Sequence, residues 1–344
     1  MKELTLNFIV LIFIFYSPNI ISPDAYEDLT KIEINGVNQW IYTRTNNLDN
    51  PIILYLHGGP GTSSLPLLAH YNSALEDEFI VVNWDQRGSG KSYDPLLRSD
   101  QITIDLILSD LEFLVDYLKT RFNKDKIFLI GHSWGSYLGV KAVLRHPENY
   151  YAYISVGQVV NSTRNEQISY NFALQSATAA ANYADIWALK NIGYPQNGYG
   201  PNEMWDLIRQ RYILYRYRGA VLSNDGYDEI DRVLYNSSVY SLYEKANLIW
   251  GSLFVFRSMW NEFITKINLD IESINFEVPV YFCVGMHDFT TPYQLAIDYF
   301  NRINAPDKEL YEFEESAHCS IFEEPEKFNR IVIDIKNKII RTEN

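Results

Sequence analysis

Short continuous apolar runs alternate with longer stretches of helical period through much of this chain. Residues 31–34 and 40–43 flank Asn35-Gly36, which predicts an antiparallel pair joined by a tight turn. Residues 52–56, unbroken, and 79–84, interrupted only by Asn83, are apolar runs of the kind buried parallel strands carry. Between 104 and 122 the period lengthens. Ile104, Ile107, Leu108, Leu111, Leu114, Val115 and Leu118 fall on one face, which predicts an amphipathic helix. A strand over 127–130 follows, then a helix to His146 stopped by Pro147, then a strand over 152–156.

The alternation breaks at residue 158. From there to about 275 the chain predicts several helices and little strand. Thr163-x-x-Glu166 has the form of a capping box, and Gly193 is a natural stop. Pro201 opens a helix rich in Trp, Arg and Tyr that Gly219 ends, and another apolar run spans about 238–263. Strands resume at 280–284 and 310–313, and a helix over 325–340 closes the chain. The expected architecture is therefore α/β. A mostly parallel sheet flanked by helices is formed by 23–157 and 276–344, and a helical cap over 158–275 is inserted into it. Residues 4–16 are a separate apolar run, too short to span a bilayer comfortably and similar to a signal-peptide core. Residues 1–22 are read as a signal peptide or an N-terminal membrane anchor. The protein is then secreted or membrane-anchored, with a cytoplasmic location as the alternative.

Composition narrows the partners. The formal net charge of −14 over 344 residues, with no dense Lys/Arg run, argues against nucleic acid or an anionic membrane surface. Any membrane association rests on the N-terminal run alone. The chain has 26 tyrosines, many of them between 150 and 260, which suggests either amphipathic pocket walls or a compositional bias. Cys283 and Cys319 belong to no C-x-x-C, so neither a metal site nor a cofactor is expected, and a disulfide between the two is left open. Cys283, inside an apolar run, reads as a buried small hydrophobe.

The chemistry centres on Gly131-His132-Ser133-Trp134-Gly135, a G-x-S-x-G set between a strand and a helix. That context makes a nucleophile elbow, with the Ser133 hydroxyl held above the sheet edge at a helix start. A serine hydroxyl needs a base and an orienting acid to attack at neutral pH. Asp288 lies just beyond the strand at 280–284, and His318 just beyond the strand at 310–313, in the order Ser, Asp, His of an α/β-hydrolase. His287, next to Asp288, is the competing histidine and reads as a solvated loop residue. A developing oxyanion requires two aimed N–H groups. Trp134 offers one, and the loop His57-Gly58-Gly59-Pro60-Gly61 offers the other, from Gly59 first and Gly58 second.

Three blocks, His57-Gly-Gly-Pro-Gly61, Asp85-Gln-Arg-Gly-Ser-Gly-Lys-Ser92 and Gly131-His-Ser-Trp-Gly-Ser136, together resemble the proline iminopeptidase family of α/β-hydrolases. The likeness covers 30–157 and 278–340 well and the cap poorly. It implies a serine hydrolase that removes an N-terminal residue, proline or another apolar one, from small peptides. Asp85 and Arg87 would brace the oxyanion loop through structural hydrogen bonds. Such enzymes pair the substrate's buried ammonium with carboxylates. Trp260-Asn-Glu-Phe263 is similar to the N-E-F segment of archaeal tricorn-associated aminopeptidases, which implies that Glu262 binds the amine. Those enzymes carry a second glutamate directly after the triad aspartate. Here that position is Phe289, with Glu203, Glu229 and Glu244 of the cap as alternatives. An esterase or amidase acting on a neutral small molecule is the alternative within the same chemistry. A non-catalytic ligand-binding protein on this fold is the alternative outside it.

Overall fold

A computed structural model describes residues 25–200, 202–223, 226–270 and 274–343. The apolar run at 4–16 lies outside them, as do any structural consequences drawn from it. Among the described residues no helix is long and apolar enough to cross a membrane.

The N-terminal hairpin forms as the pattern predicts, and both strands are longer than the apolar runs. Strands β1 (Tyr26–Ile34) and β2 (Val37–Thr45) pair antiparallel through Asn35 and Gly36, whose φ angles of 48° and 75° suit a tight hairpin turn. Strand β3 (Ile52–Leu56) is followed by the one-turn helix α1 (Leu67–Tyr71) and strand β4 (Ile80–Asp85). Helix α2 (Ile104–Phe122) has Thr103 as its N-cap, accepting from Leu106 N–H at 3.2 Å, and ends on Asn123 in the left-handed region. Then come β5 (Ile127–His132), α3 (Trp134–Arg145) and β6 (Tyr150–Val156).

Among the described residues, five helices intervene before the sheet resumes: α4 (Ser162–Ala179), α5 (Tyr183–Ile192), α6 (Met204–Arg216), α7 (Asp228–Asn236) and α8 (Leu242–Lys266). The chain closes with β7 (Val280–Gly285), α9 (Tyr293–Arg302), β8 (Lys308–Phe313), the short α10 (Ser320–Glu323) and α11 (Pro325–Glu343). The strand order is β1-β2-β4-β3-β5-β6-β7-β8. The β1–β2 and β2–β4 pairs are antiparallel and every later pair is parallel.

Side-chain alternation along the central strands builds two cores, one on each face. Ile52, Leu54 and Leu56 of β3 join Ile127 and Leu129 of β5 beneath α2 and α3. Ile53 and Tyr55 join Phe128 and Ile130 on the opposite face, against Phe328, Val332 and Ile335 of α11. Because both faces are covered, these strands have no polar side to show, and the sequence reads there as unbroken apolar runs.

The five-helix excursion leaves and returns through a narrow neck. Ser162 N–H donates to Ile267 C=O at 3.1 Å, Leu269 N–H donates to Val160 C=O at 2.7 Å, and Asn161 bridges to Asn268. Within it, Tyr170, Ala173, Leu189 and Ile213 form a small core of their own. The capping box predicted at Thr163–Glu166 does not form. Asn161 caps α4 by accepting from Arg164 N–H at 2.9 Å, which frees Glu166 for another use.

Candidate active site

Strand β5 runs straight into α3 through Ser133, whose φ of 55° and ψ of −121° are a conformation few non-glycine residues adopt. The surroundings hold it there. Ser133 N–H donates to Val156 C=O at 2.9 Å, and its C=O accepts from Ser136 N–H at 2.8 Å and Ser136 Oγ at 2.6 Å. The flanking glycines are needed for space. A Cβ on Gly135 would lie 2.1 Å from Leu56 O, and one on Gly131 would lie 2.4 Å from Gly135 O.

Asp288 and His318 meet at the same sheet edge. His318 Nδ1 lies 2.8 Å from Asp288 Oδ2, and both side chains are buried. Both oxygens of the carboxylate have further donors. Oδ1 accepts from Thr290 N–H and Thr291 N–H, each at 2.8 Å, and Oδ2 accepts from Thr291 Oγ1 at 2.8 Å. Thr291 Oγ1 also lies 3.1 Å from His318 Nδ1, so one hydroxyl touches both partners. The rival His287 is exposed and takes no part.

His132 supports the imidazole from below. Its Nε2 is 3.0 Å from His318 O and its ring centroid is 4.9 Å from that of His318. Burial, then the neighbouring His318, push its pKa down to about 3, so it stays neutral. His57 is likewise held neutral, with burial lowering its pKa to about 4.

The glycine loop after β3 borders the serine. A Cβ on Gly58 would lie 3.1 Å from Ser133 Cβ, and Gly58, Gly59 and Trp134 all line one cavity with Ser133 and His318. Gln86 connects the two sides of it, donating to His57 O at 3.1 Å and accepting from Trp134 Nε1 at 3.3 Å. The Asp85 and Arg87 expectation takes a definite form. Asp85 accepts from Lys91 N–H at 2.8 Å and from Ser63 Oγ of the glycine loop, with Tyr240 OH at 3.4 Å. Burial raises its pKa to about 7 despite those donors. Arg87 departs from the expectation, since it does not bond the oxyanion loop but grips the buried Asp110 of α2 with two hydrogen bonds of 2.7 Å.

The cavity, about 630 Å³, is roofed by the excursion between β6 and β7. Tyr212, Tyr215 and Tyr227 are among its walls, so part of the tyrosine enrichment does form a pocket. Cys319 also lines it, and Cys283 is buried in the sheet. Both are free thiols, so the pairing left open by the sequence does not occur.

Glu262 must be corrected. It is not among the cavity's lining residues. Its Oε2 accepts from Ile104 N–H at 2.7 Å and its Oε1 pairs with Lys266. It therefore caps α2, where a carboxylate meets an unsatisfied N–H and the positive helix end. The alternatives also have other uses. Glu244 pairs with Lys91 and caps α8, and Glu203 accepts from Gly200 N–H. Glu229 lies outside this cavity. Phe289 stacks on Phe172 with centroids 3.7 Å apart. The acids that do line the cavity are Glu166, which the sequence suggested only as a capping residue, and Asp231 of α7.

The comparisons agree with the fold. A family model described as "Serine aminopeptidase, S33" matches residues 50–326. The probable aminopeptidase YbaC of Bacillus subtilis (strain 168) is 29% identical over 307 residues, spanning 87% of this chain and 93% of that protein. A proline iminopeptidase of Heyndrickxia coagulans is 25% identical over 297 residues, spanning 86% and 93%. The crystal structure of a proline iminopeptidase-related protein from Thermus thermophilus superposes with a TM-score of 0.62 at 18% identity. It covers 92% of this chain and 99% of that one.

Proposed function

We propose that this chain, which belongs to the serine aminopeptidase family over residues 50–326, releases the N-terminal residue of small peptides through Ser133, His318 and Asp288. Membership supports a serine hydrolase of the α/β-hydrolase type. The observation that carries the residue roles is the 2.8 Å contact of His318 Nδ1 with Asp288, in one cavity with a serine in a strained turn.

With Nδ1 engaged, Nε2 of His318 is left to take the Ser133 proton as Oγ attacks the scissile carbonyl. The negative charge passes to the carbonyl oxygen, where the N–H groups of Gly59 and Trp134 would receive it. Collapse of the intermediate breaks the C–N bond, and His318 returns the proton to the leaving amine. Water, deprotonated by the same imidazole, then cleaves the acyl-serine ester and restores the hydroxyl. Asp288 holds the imidazole in its tautomer and stabilises the imidazolium.

A second reading, an esterase or amidase for neutral acyl groups, is favoured by one finding. Neither of the two expected carboxylates is there to pair an ammonium, since Glu262 stands outside the cavity and Phe289 follows Asp288; the acids present are Glu166, already paired with Arg211, and Asp231. A panel of aminoacyl-naphthylamides against simple acyl esters separates the two. Faster turnover of free-amine substrates than of N-blocked ones supports the aminopeptidase, and the reverse order overturns it. Ser133→Ala should abolish both turnover and labelling by a fluorophosphonate probe. Residual labelling in the variant would remove Ser133 as nucleophile.

A further inference from the structure

The cavity contains a cation whose hydrogen bonding is incomplete. Arg211 of α6 lines it, with its side chain 14% exposed. Nη2 donates to Glu166 Oε1, while Nη1 is buried and has no hydrogen-bond partner among the described residues. The carboxylate beside it is fully engaged. Glu166 accepts from Asn165 Nδ2 at 3.1 Å on Oε1 and from Gln210 Nε2 at 3.2 Å on Oε2. Asn165 also donates to the C=O of Thr290 at 2.8 Å, a residue whose N–H donates to Asp288. The pair is thus tied to the Asp288 loop and held from several sides. A buried N–H without an acceptor is costly, and a guanidinium already paired with a carboxylate has no net charge left to balance. Such a group selects an acceptor oxygen and gains little from a second negative charge. Leu207, Ile208 and Phe256 supply apolar walls to the same cavity, with Tyr212 and Tyr215 of α6 and Asp231 of α7 also lining it.

We infer that Arg211 Nη1 donates to an uncharged carbonyl oxygen on the substrate, separate from the scissile carbonyl. The preferred acyl group then ends in an amide or lactam, with an apolar stem. This rests on the hydrolase reading of Ser133 and deepens it.

Three p-nitrophenyl esters of similar length provide the test: hexanoate, the monoamide of glutarate and glutarate itself. In the full protein the monoamide should exceed hexanoate in kcat/KM by about tenfold or more, and glutarate should fall below the monoamide. Arg211→Met should collapse the monoamide-to-hexanoate ratio towards one. Glu166→Gln releases the positive charge of Arg211, so it should raise glutarate relative to the monoamide, a change of opposite sign. If Arg211→Met does not fold, the Glu166→Gln shift decides alone. Equal or better turnover of hexanoate, with ratios unmoved by either variant, overturns the inference and leaves Nη1 to a bound water. Absence of all turnover together with absence of fluorophosphonate labelling is a different failure, that of the hydrolase reading. Calorimetric binding of glutaramide against hexanamide then still reads the acceptor preference.

Discussion

Gly157 lies beside the imidazole of His318 with a φ of +56°, and a Cβ there would stand 3.0 Å from both Cε1 and Nδ1. Gly157→Ala should therefore move the ring rather than unfold the sheet. We expect kcat to fall by about ten- to a hundredfold with KM little changed, measured on the best ester substrate. An unchanged kcat would mean that the loop carrying His318 yields without loss. Glu262 predicts the opposite kind of effect. Glu262→Gln removes a charged cap from α2, so thermal or urea unfolding should show a loss of about 1 kcal/mol. The ratio of amine to ester turnover should not move. At this scale the meeting of His318 with Asp288, and the cavity His318 shares with Ser133, were legible because each of the three residues follows a strand at one sheet edge. Arg211 and Glu166 were not, since charges on amphipathic helices read as solvated until their partners across the cavity are known. Glu262 misled because its local motif says nothing of the N-terminus of α2 that it reaches.

Helix α8 rests directly on the glycine loops. A Cβ on Gly251 would lie 2.6 Å from Gly88 O, and Val255 covers both Gly61 and Gly88. The same helix is joined to the core by Lys91 and Glu244. Gly251→Leu should push the helix off those loops, costing about 1–3 kcal/mol in chemical denaturation and lowering kcat/KM. A variant as stable and active as the parent would show that α8 can shift freely. Among the elements, α2 was predicted with its observed bounds because a long apolar face repeats without interruption. The short α7 was not singled out, since only Ile230, Val233 and Leu234 in a run of acids signal its buried face. The strands β1 and β8 exceed their apolar runs because edge strands carry charged residues on the open side.

Across the whole molecule, buried titratable groups set opposing pH dependences. His57 and His132 have pKa values lowered to about 4 and about 3, so the unfolded chain binds their protons first. Their contribution to stability is present above about pH 6.5 and is lost as pH falls towards 4. Asp85, raised to about 7, acts in the other sense, and its contribution is lost as pH rises from about 4 to 7. Urea midpoints between about pH 4 and 7 should accordingly respond in opposite directions. His132→Gln flattens the loss on acidification and Asp85→Asn steepens it. Parallel shifts in both variants would show that other groups control the slope. The overall architecture was legible because the strand periodicity stops at 158 and resumes at 280. How the excursion sits on the sheet was not, because it depends on contacts far apart in the chain. The neck between Val160 and Leu269 also bears on inheritance. A segment that leaves and returns at one point can be exchanged between related chains without reordering a single strand. The seam is incomplete, however, because Tyr240 donates to Asp85 and Gly251 packs on Gly88. Any transplanted roof would have to bring a hydroxyl and a glycine to those two positions, and chimaeras that lack them should assemble poorly.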